Sequence, residues 1–102
     1  MTFTVRLTEH AEADLVRLYE FALSSSDGNW AFAERALHAI RHGIHSLETS
    51  PFSYRKAMAD NPFMRELIIP FGAAGYVALF EIDSQDTVTV LALRHQREDD
   101  YR

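Results

Sequence analysis

The sequence divides into a first half with the period of helices and a second half with the composition of strands. Apolar residues recur three or four positions apart between residues 9 and 48, whereas β-branched and aromatic residues dominate between 64 and 95. Helices segregated from strands in this way predict an α+β domain, in which the helices cover one face of an antiparallel sheet. All 102 residues fit a single domain, 1–102, and leave no room for a second core.

A short strand and two helices are predicted for the first half. Residues 3–7 alternate apolar with polar side chains, as in a half-buried strand. Thr8 suits the N-cap of a first helix over residues 9–23, because its hydroxyl can accept from an early helical N–H. A second helix is predicted over residues 29–48, and the serine-rich loop before it makes the two helices an antiparallel hairpin.

The second half is predicted to be a three-strand antiparallel meander. Its strands, over residues 64–71, 76–83 and 87–95, are separated by turns of hairpin length. Residues 52–63 show no clear period and are predicted to be a loop. The element order is therefore β-α-α-β-β-β, and the first strand should join the sheet at an edge of the meander. Ten residues are expected to be largely buried: Leu15, Leu18, Leu37, Ile40, Ile44, Leu67, Ile69, Leu79, Leu91 and Leu93.

Charge and composition argue against several functional classes. The net charge is −5 and Lys56 is the only lysine, whereas proteins that grip phosphates usually present a basic surface. Without cysteine there is neither a thiolate metal site nor a thiol nucleophile, and neither a glycine-rich phosphate loop nor a serine elbow is present. The first residues do not resemble a signal peptide and no apolar run has the length of a membrane span, so we expect a cytoplasmic protein.

Three histidines on the second helix are spaced like metal ligands. His38, His42 and His45 lie at i, i+4 and i+7, so they project from one side of the helix and could share a metal ion. This side lies away from the apolar stripe, and no carboxylate at a matching spacing completes a site. We therefore predict a solvated polar face, with no bound metal and no cofactor.

Basic and ring side chains gather near the ends of two predicted strands. Arg65 lies near the start of one strand, whereas Arg94 and His95 end the last strand and are followed by Arg97 and Tyr101. If these strand ends adjoin, arginines could clamp a polyanion while His or Tyr moves protons. The alternative is structural, with the arginines paired to neighbouring acids such as Glu66, Glu98 and Asp99.

The end of the chain carries the most specific motif. From Val90 to Tyr101, an apolar strand runs into R-H-x-R-E-x-x-Y, which resembles the closing signature of ParE-type toxins in the ParE/RelE toxin–antitoxin superfamily. Other stretches agree with this resemblance: Leu7-Thr8 with Ala11, Asp14-Leu15 and Tyr19; Leu47 to Pro51; Arg65-Glu66-Leu67; and Gly75-Tyr76. The resemblance covers nearly the whole chain and implies a RelE/ParE-like fold in the toxin of a type II pair, of the kind associated with plasmid stabilisation.

The resemblance leaves three functions open. ParE toxins inhibit DNA gyrase, and this function would use Arg94, His95, Arg97 and Tyr101 as contacts to the target. RelE relatives cleave messenger RNA on the ribosome, and this function would use Arg65, Arg94, His95 and Tyr101 in catalysis. A diverged relative would only bind its antitoxin. The acidic balance and the stretch Glu98-Asp99-Asp100 favour gyrase, which would make the chain a binding protein rather than an enzyme.

The resemblance also implies a cognate antitoxin, bound in a hetero-oligomer. Its flexible C-terminal segment would wrap the helical hairpin and the sheet, folding as it binds. Tyr19, Trp30 and Phe32 are the candidate anchors, and each has core packing as its alternative. For Trp30 the two roles stay open, whereas Phe32 lies off the main apolar stripe and favours contact with the partner. We expect neither membrane association nor sequence-specific DNA binding by this chain alone.

Overall fold

Two α-helices pack on one face of a five-strand mixed sheet in the computed structural model, which describes residues 2–98, 100 and 101. The elements are β1 (Thr4–Leu7), α1 (Glu9–Ser25), α2 (Trp30–His45), β2 (Arg55–Met58), β3 (Asn61–Phe71), β4 (Ala74–Ile82) and β5 (Thr87–His95). Two short 3-10 turns, Ser46–Glu48 and Pro51–Ser53, connect α2 to β2. The strand order across the sheet is β1-β5-β4-β3-β2.

The predicted α+β architecture is confirmed, and two details of the sheet are corrected. The hairpin of helices, the meander and the edge position of the first strand are as predicted. Residues 52–63 were predicted as a loop, but residues 55–58 form β2 and residues 61–63 begin β3. These short stretches show no period of their own, and they are extended because the two strands pair with each other. β1 pairs parallel with β5, so the sheet is mixed rather than antiparallel.

Side-chain caps start both helices. The Thr8 hydroxyl accepts from the N–H of Ala11 at 3.1 Å, and the Asn29 side chain accepts from the N–H of Phe32 at 3.0 Å. Each bond satisfies one of the N–H groups that a helix start leaves unpaired. Among the described residues, no helix combines the length and the apolar character that a membrane span requires.

The core lies between the helical hairpin and the sheet, and most of the predicted core residues are in it. Six of them are buried: Leu18, Ile40, Ile44, Leu67, Ile69 and Leu93. The other four are half-buried, since Leu15 and Leu37 line a groove between the helices and Leu79 faces away from them. Leu91 is the extra residue at a register shift, where Leu79 pairs with Ala92 and Phe80 pairs with Val90.

Gly43 sets the distance between α2 and the sheet. A Cβ atom at this position would lie 2.8 Å from Cγ1 of Ile69 on β3. Only the absence of a side chain allows the helix to approach β3 this closely. The helical hairpin is thereby held against the meander.

Side chains of α1 occupy the outer edge of β5 where β1 ends. β1 pairs with residues 87–90 only. Beyond them, the N–H of Leu93 donates to Asp14 Oδ2 at 2.9 Å, and Arg17 Nη2 donates to the carbonyl of Leu93 at 3.2 Å. A partner strand would need these backbone groups, which are already in use.

We expect Asp14→Ala to destabilise the fold. Asp14 is 4% exposed, and its loss leaves the Leu93 N–H without its acceptor and Arg17 without its 3.4 Å ion pair. An unsatisfied buried group costs about 1–3 kcal/mol in the free energy of unfolding. Asp14→Asn, whose amide oxygen can still accept from Leu93, should lose less. Urea unfolding of the three proteins measures this, and an alanine variant as stable as the wild type would contradict it.

Candidate functional site

The C-terminal segment, here residues 96–98, 100 and 101, turns back over the sheet face opposite the helices. The N–H of Gln96 donates to the carbonyl of Gly75 at 2.9 Å, and the N–H of Glu98 donates to the carbonyl of His95 at 3.0 Å. This turn reverses the chain, so that Tyr101 reaches β3. Asp99, expected in the acidic stretch beside the motif, lies outside the described residues.

Side chains of two strands hold Tyr101 on the sheet face opposite the helices, here called the open face. Its hydroxyl donates to Glu66 Oε2 at 2.6 Å, and the guanidinium carbon of Arg94 lies 5.2 Å from its ring centroid. Burial, and then the hydrogen bond to Glu66, raise the pKa of Tyr101 far above its usual value. At neutral pH the residue is therefore a phenol that donates a hydrogen bond and is not a base.

Arg94 supports the turn from the same face. Its Nη1 donates to the carbonyl of Glu98 at 2.8 Å. In the sheet register Arg94 lies opposite Val77, on the face that the helices do not cover. Val77 is nevertheless only 2% exposed. The guanidinium of Arg94 thus ties the C-terminal segment to the sheet.

His95 projects from the opposite face of the sheet, toward the helices. Its ring lies 5.5 Å from the ring of Tyr76 and 6.1 Å from that of Phe21, in edge-to-face arrangements. Its Nδ1 accepts from the N–H of Arg97 at 3.1 Å. Burial and the nearby charge of Arg97 lower the pKa of His95, against a smaller opposing effect of Glu98. The neutral imidazole is the form that this site favours.

Arg65 is bound to the turn that precedes β2. Its Nη1 donates to the carbonyls of Tyr54 at 2.8 Å and Phe52 at 3.1 Å, and its Nε donates to the carbonyl of Pro62 at 2.7 Å. The guanidinium carbon also lies 5.4 Å from the centroid of the Phe52 ring. Arg65 therefore fastens the connection between α2 and β2.

Of the predicted site residues, the structure brings Arg94 and Tyr101 together and places the others elsewhere. Successive side chains of a strand point to opposite faces, so His95 cannot join Arg94 on one face. Arg97 is exposed beside His95, whereas Arg65 lies among the backbone groups of another turn. The predicted roles of these residues in binding or catalysis stay predictions.

Glu66 and Glu98 were named from the sequence as acids of this region, but the partners that they have in the structure were not identified. Glu66 was considered as a partner of the strand-end arginines, but its ion pair is with Arg55, at 2.9 Å, and its other oxygen binds Tyr101. Glu98 pairs with Arg17 of α1 at 3.1 Å. Glu66 precedes the core residue Leu67, and strand alternation alone could have placed it on the open face.

The candidate antitoxin anchors lie in different places on the hairpin. Tyr19 lines a groove of about 330 Å³ between the helices, together with Leu15, Val16 and Leu37. Trp30, 66% exposed at the first turn of α2, is not a core residue. Phe32 is half-buried and packs on Phe71, with ring centroids 5.4 Å apart, so it contributes to the core edge.

Val16 also lines the groove, although it was not among the anchors predicted from the sequence. It lies off the buried stripe of α1 and is 59% exposed. An apolar residue on the polar side of an amphipathic helix was the signal that could have identified it. Glu12, Glu34 and Arg41 also line the groove and give it a charged margin.

The three histidines of α2 do not converge. The rings of His38 and His42 stack with centroids 6.4 Å apart, whereas His45 Nδ1 lies 3.2 Å from Glu48 Oε2. Throughout the part of the chain that the structure describes, no three potential metal ligands form a group.

We expect His95 to make stability depend on pH. A histidine whose pKa is lowered on folding binds its proton more readily in the unfolded chain, so protonation favours unfolding. This cost is absent well above the ordinary value of 6.5 and grows as the pH falls through it. Between about pH 8 and about pH 5.5, wild type should therefore lose more stability than His95→Gln. Thermal unfolding of both proteins measures the difference, and parallel losses would contradict it.

Comparisons with known proteins agree with this fold. A solved structure titled "Chromosomal ParDE TA system from P. aeruginosa" superposes with a TM-score of 0.71, over 95% of this chain and 97% of that chain, at 20% sequence identity. Comparison with curated proteins gives no match. A family model described as "ParE toxin of type II toxin-antitoxin system, parDE" matches residues 5–100. With nearly its whole length matched, the chain belongs to the ParE toxin family of type II toxin–antitoxin systems.

Proposed function

We propose that this ParE-family protein is a toxin that inhibits DNA gyrase and that a cognate antitoxin neutralises it in the cytoplasm. Membership of the family supports the class of toxin. The choice of target depends on the site. In this proposal the protein acts by binding and needs no cofactor.

The candidate catalytic residues lie apart from one another, and this separation favours gyrase over messenger RNA as the target. A nuclease needs a clamp and proton-transfer groups that converge on one phosphate. Here Arg94 and His95 lie on opposite faces of β5, and Arg65 is occupied by three backbone carbonyls. The Tyr101 hydroxyl donates to Glu66, and its raised pKa keeps it protonated, so it does not serve as a base. This arrangement supports a surface that binds rather than a centre that cleaves.

The charge of the chain supports the same choice. A net charge of −5 with a single lysine opposes docking on ribosomal RNA, where affinity comes mainly from neutralised phosphates. A protein target makes no such demand. The exposed Arg97, beside the structured turn at His95, suits a contact with protein.

The groove between the helices supports the antitoxin part of the proposal. Leu15, Tyr19 and Leu37 are only half-buried and Val16 is largely exposed, so the outer surface of the hairpin keeps an apolar strip. A disordered segment that folds as an amphipathic helix can bury such a strip. The edge of β5 at Leu93 is occupied by Asp14 and Arg17 of α1, so this part of the sheet does not accept an added strand.

We expect Tyr19→Ala and Trp30→Ala to weaken the complex with the antitoxin by about 1–3 kcal/mol each, the usual cost of removing a buried anchor. Phe52→Ala is the matched control, because Phe52 is 51% exposed but does not belong to the helical hairpin. Calorimetry with the cognate antitoxin measures both affinity and heat capacity. Coupled folding predicts a large negative change in heat capacity, and tight binding without it would contradict the wrapping mode.

We expect Arg94→Ala and deletion of residues 96–102 to abolish inhibition of gyrase, because both remove the structured contact surface. His95→Gln should be mild. Lys56→Ala is the matched control, since it removes an exposed positive charge elsewhere. Supercoiling by purified gyrase and cleavage of ribosome-bound transcripts are assayed in parallel with growth arrest.

Two results would overturn the choice of target. Transcript cleavage that disappears in His95→Gln, with supercoiling unaffected by wild type, would identify a RelE-like endoribonuclease, because losing a general acid or base typically costs about 10²–10⁴-fold in rate. Harmless expression, with both assays negative, would identify a relative that only binds its antitoxin.

A further inference from the structure

Glu66 connects the C-terminal segment to two strands of the sheet. Its side chain is 16% exposed, although it lies on the face opposite the helices. Oε2 accepts from the Tyr101 hydroxyl at 2.6 Å, while Oε1 lies 2.9 Å from Nη2 and 3.1 Å from Nε of Arg55. The two oxygens thus serve two different partners.

Arg55 orients the carboxylate. Arg55 and Glu66 are directly opposite in the pairing of β2 with β3, so the ion pair crosses the two strands. Both guanidinium contacts are made to Oε1, which leaves Oε2 to face Tyr101. A carboxylate fixed by one charged partner is a better placed acceptor for a second.

Arg94 completes the support of Tyr101. Its guanidinium carbon lies 5.2 Å from the centroid of the Tyr101 ring and its Nη1 binds the carbonyl of Glu98. Glu66 of β3 therefore holds the Tyr101 hydroxyl, and Arg94 of β5 holds the face of the ring. A short terminal segment with these contacts has lost most of its conformational freedom before it meets a partner.

We infer that Glu66, oriented by Arg55, is a positioning residue that holds the C-terminal segment in the conformation that contacts the target; this rests on the function proposed above. Neither residue belongs to the C-terminal motif. A segment ordered in advance binds with a smaller entropy cost than a free one. Glu66 therefore acts on the affinity for the target without touching it.

The test compares Glu66→Ala, Glu66→Gln and Tyr101→Phe in the full chain. The hydrogen bond to a charged acceptor predicts that Glu66→Ala raises the concentration needed for half-inhibition of supercoiling about tenfold. Glu66→Gln keeps an acceptor oxygen for Tyr101 and should fall between Glu66→Ala and wild type. Glu66→Ala and Tyr101→Phe remove the same bond, so their combination should be no worse than the poorer single variant. Asp60→Ala, which removes an exposed carboxylate in the turn before β3, should inhibit like wild type.

Two further measurements separate positioning from folding. Amide hydrogen exchange of the C-terminal segment should accelerate about tenfold in Glu66→Ala, whereas exchange in α2 and β4 stays unchanged. Affinity for the antitoxin should also stay unchanged, because its groove lies on the other side of the molecule. Unaltered inhibition in Glu66→Ala, or loss of antitoxin binding together with inhibition, overturns the inference.

A wrong choice of gyrase as the target can be distinguished from a wrong role for Glu66. If wild type does not inhibit gyrase, the proposal about gyrase is wrong, and the same variants are compared for growth arrest and for exchange. Weaker arrest with faster exchange in the segment then supports the role of Glu66. Wild-type arrest or wild-type exchange overturns it.

Discussion

Asp14 is a carboxylate on a helix face otherwise made of alanine and leucine, and the end of β5 depends on it. β1 covers only the first part of β5, so the backbone of Leu93 would be left without a partner if α1 did not supply one. Arg17 extends this contact by binding the carbonyl of Leu93 and the carboxylate of Glu98. Glu98 in turn accepts from the N–H of His95, where the chain leaves the sheet. The direction of the C-terminal segment thus depends on side chains of α1.

Much of the fold was predictable because it depends on local patterns. The caps at Thr8 and Asn29, the apolar stripes of the helices and the two hairpins of the meander each have a signal within a few residues. β2 had no such signal, since its four residues are extended only because β3 lies beside them. The parallel pairing of β1 likewise depends on where the helical hairpin returns the chain.

The candidate site was predictable in part, because its residue types belong to a motif but its geometry does not. The alternation of Arg94 and His95 could have been derived from the strand period. The return of Tyr101 to Glu66 could not, since it depends on a turn that Glu98 and α1 stabilise from a distance in sequence. Arg65 matched a catalytic residue type, but two of the three carbonyls that it binds belong to a turn without any period.

The two surfaces of the molecule are separated along the chain as well as in space. The groove between the helices is built from residues 12–41, whereas the turn and the segment held by Glu66 need residues 94–101. A ribosome therefore exposes every residue of the groove before it has made the last residues of the segment. All residues of the surface assigned to the antitoxin are therefore synthesised before those of the surface assigned to the target. A chain that stops before Tyr101 contains the antitoxin surface but lacks part of the target surface.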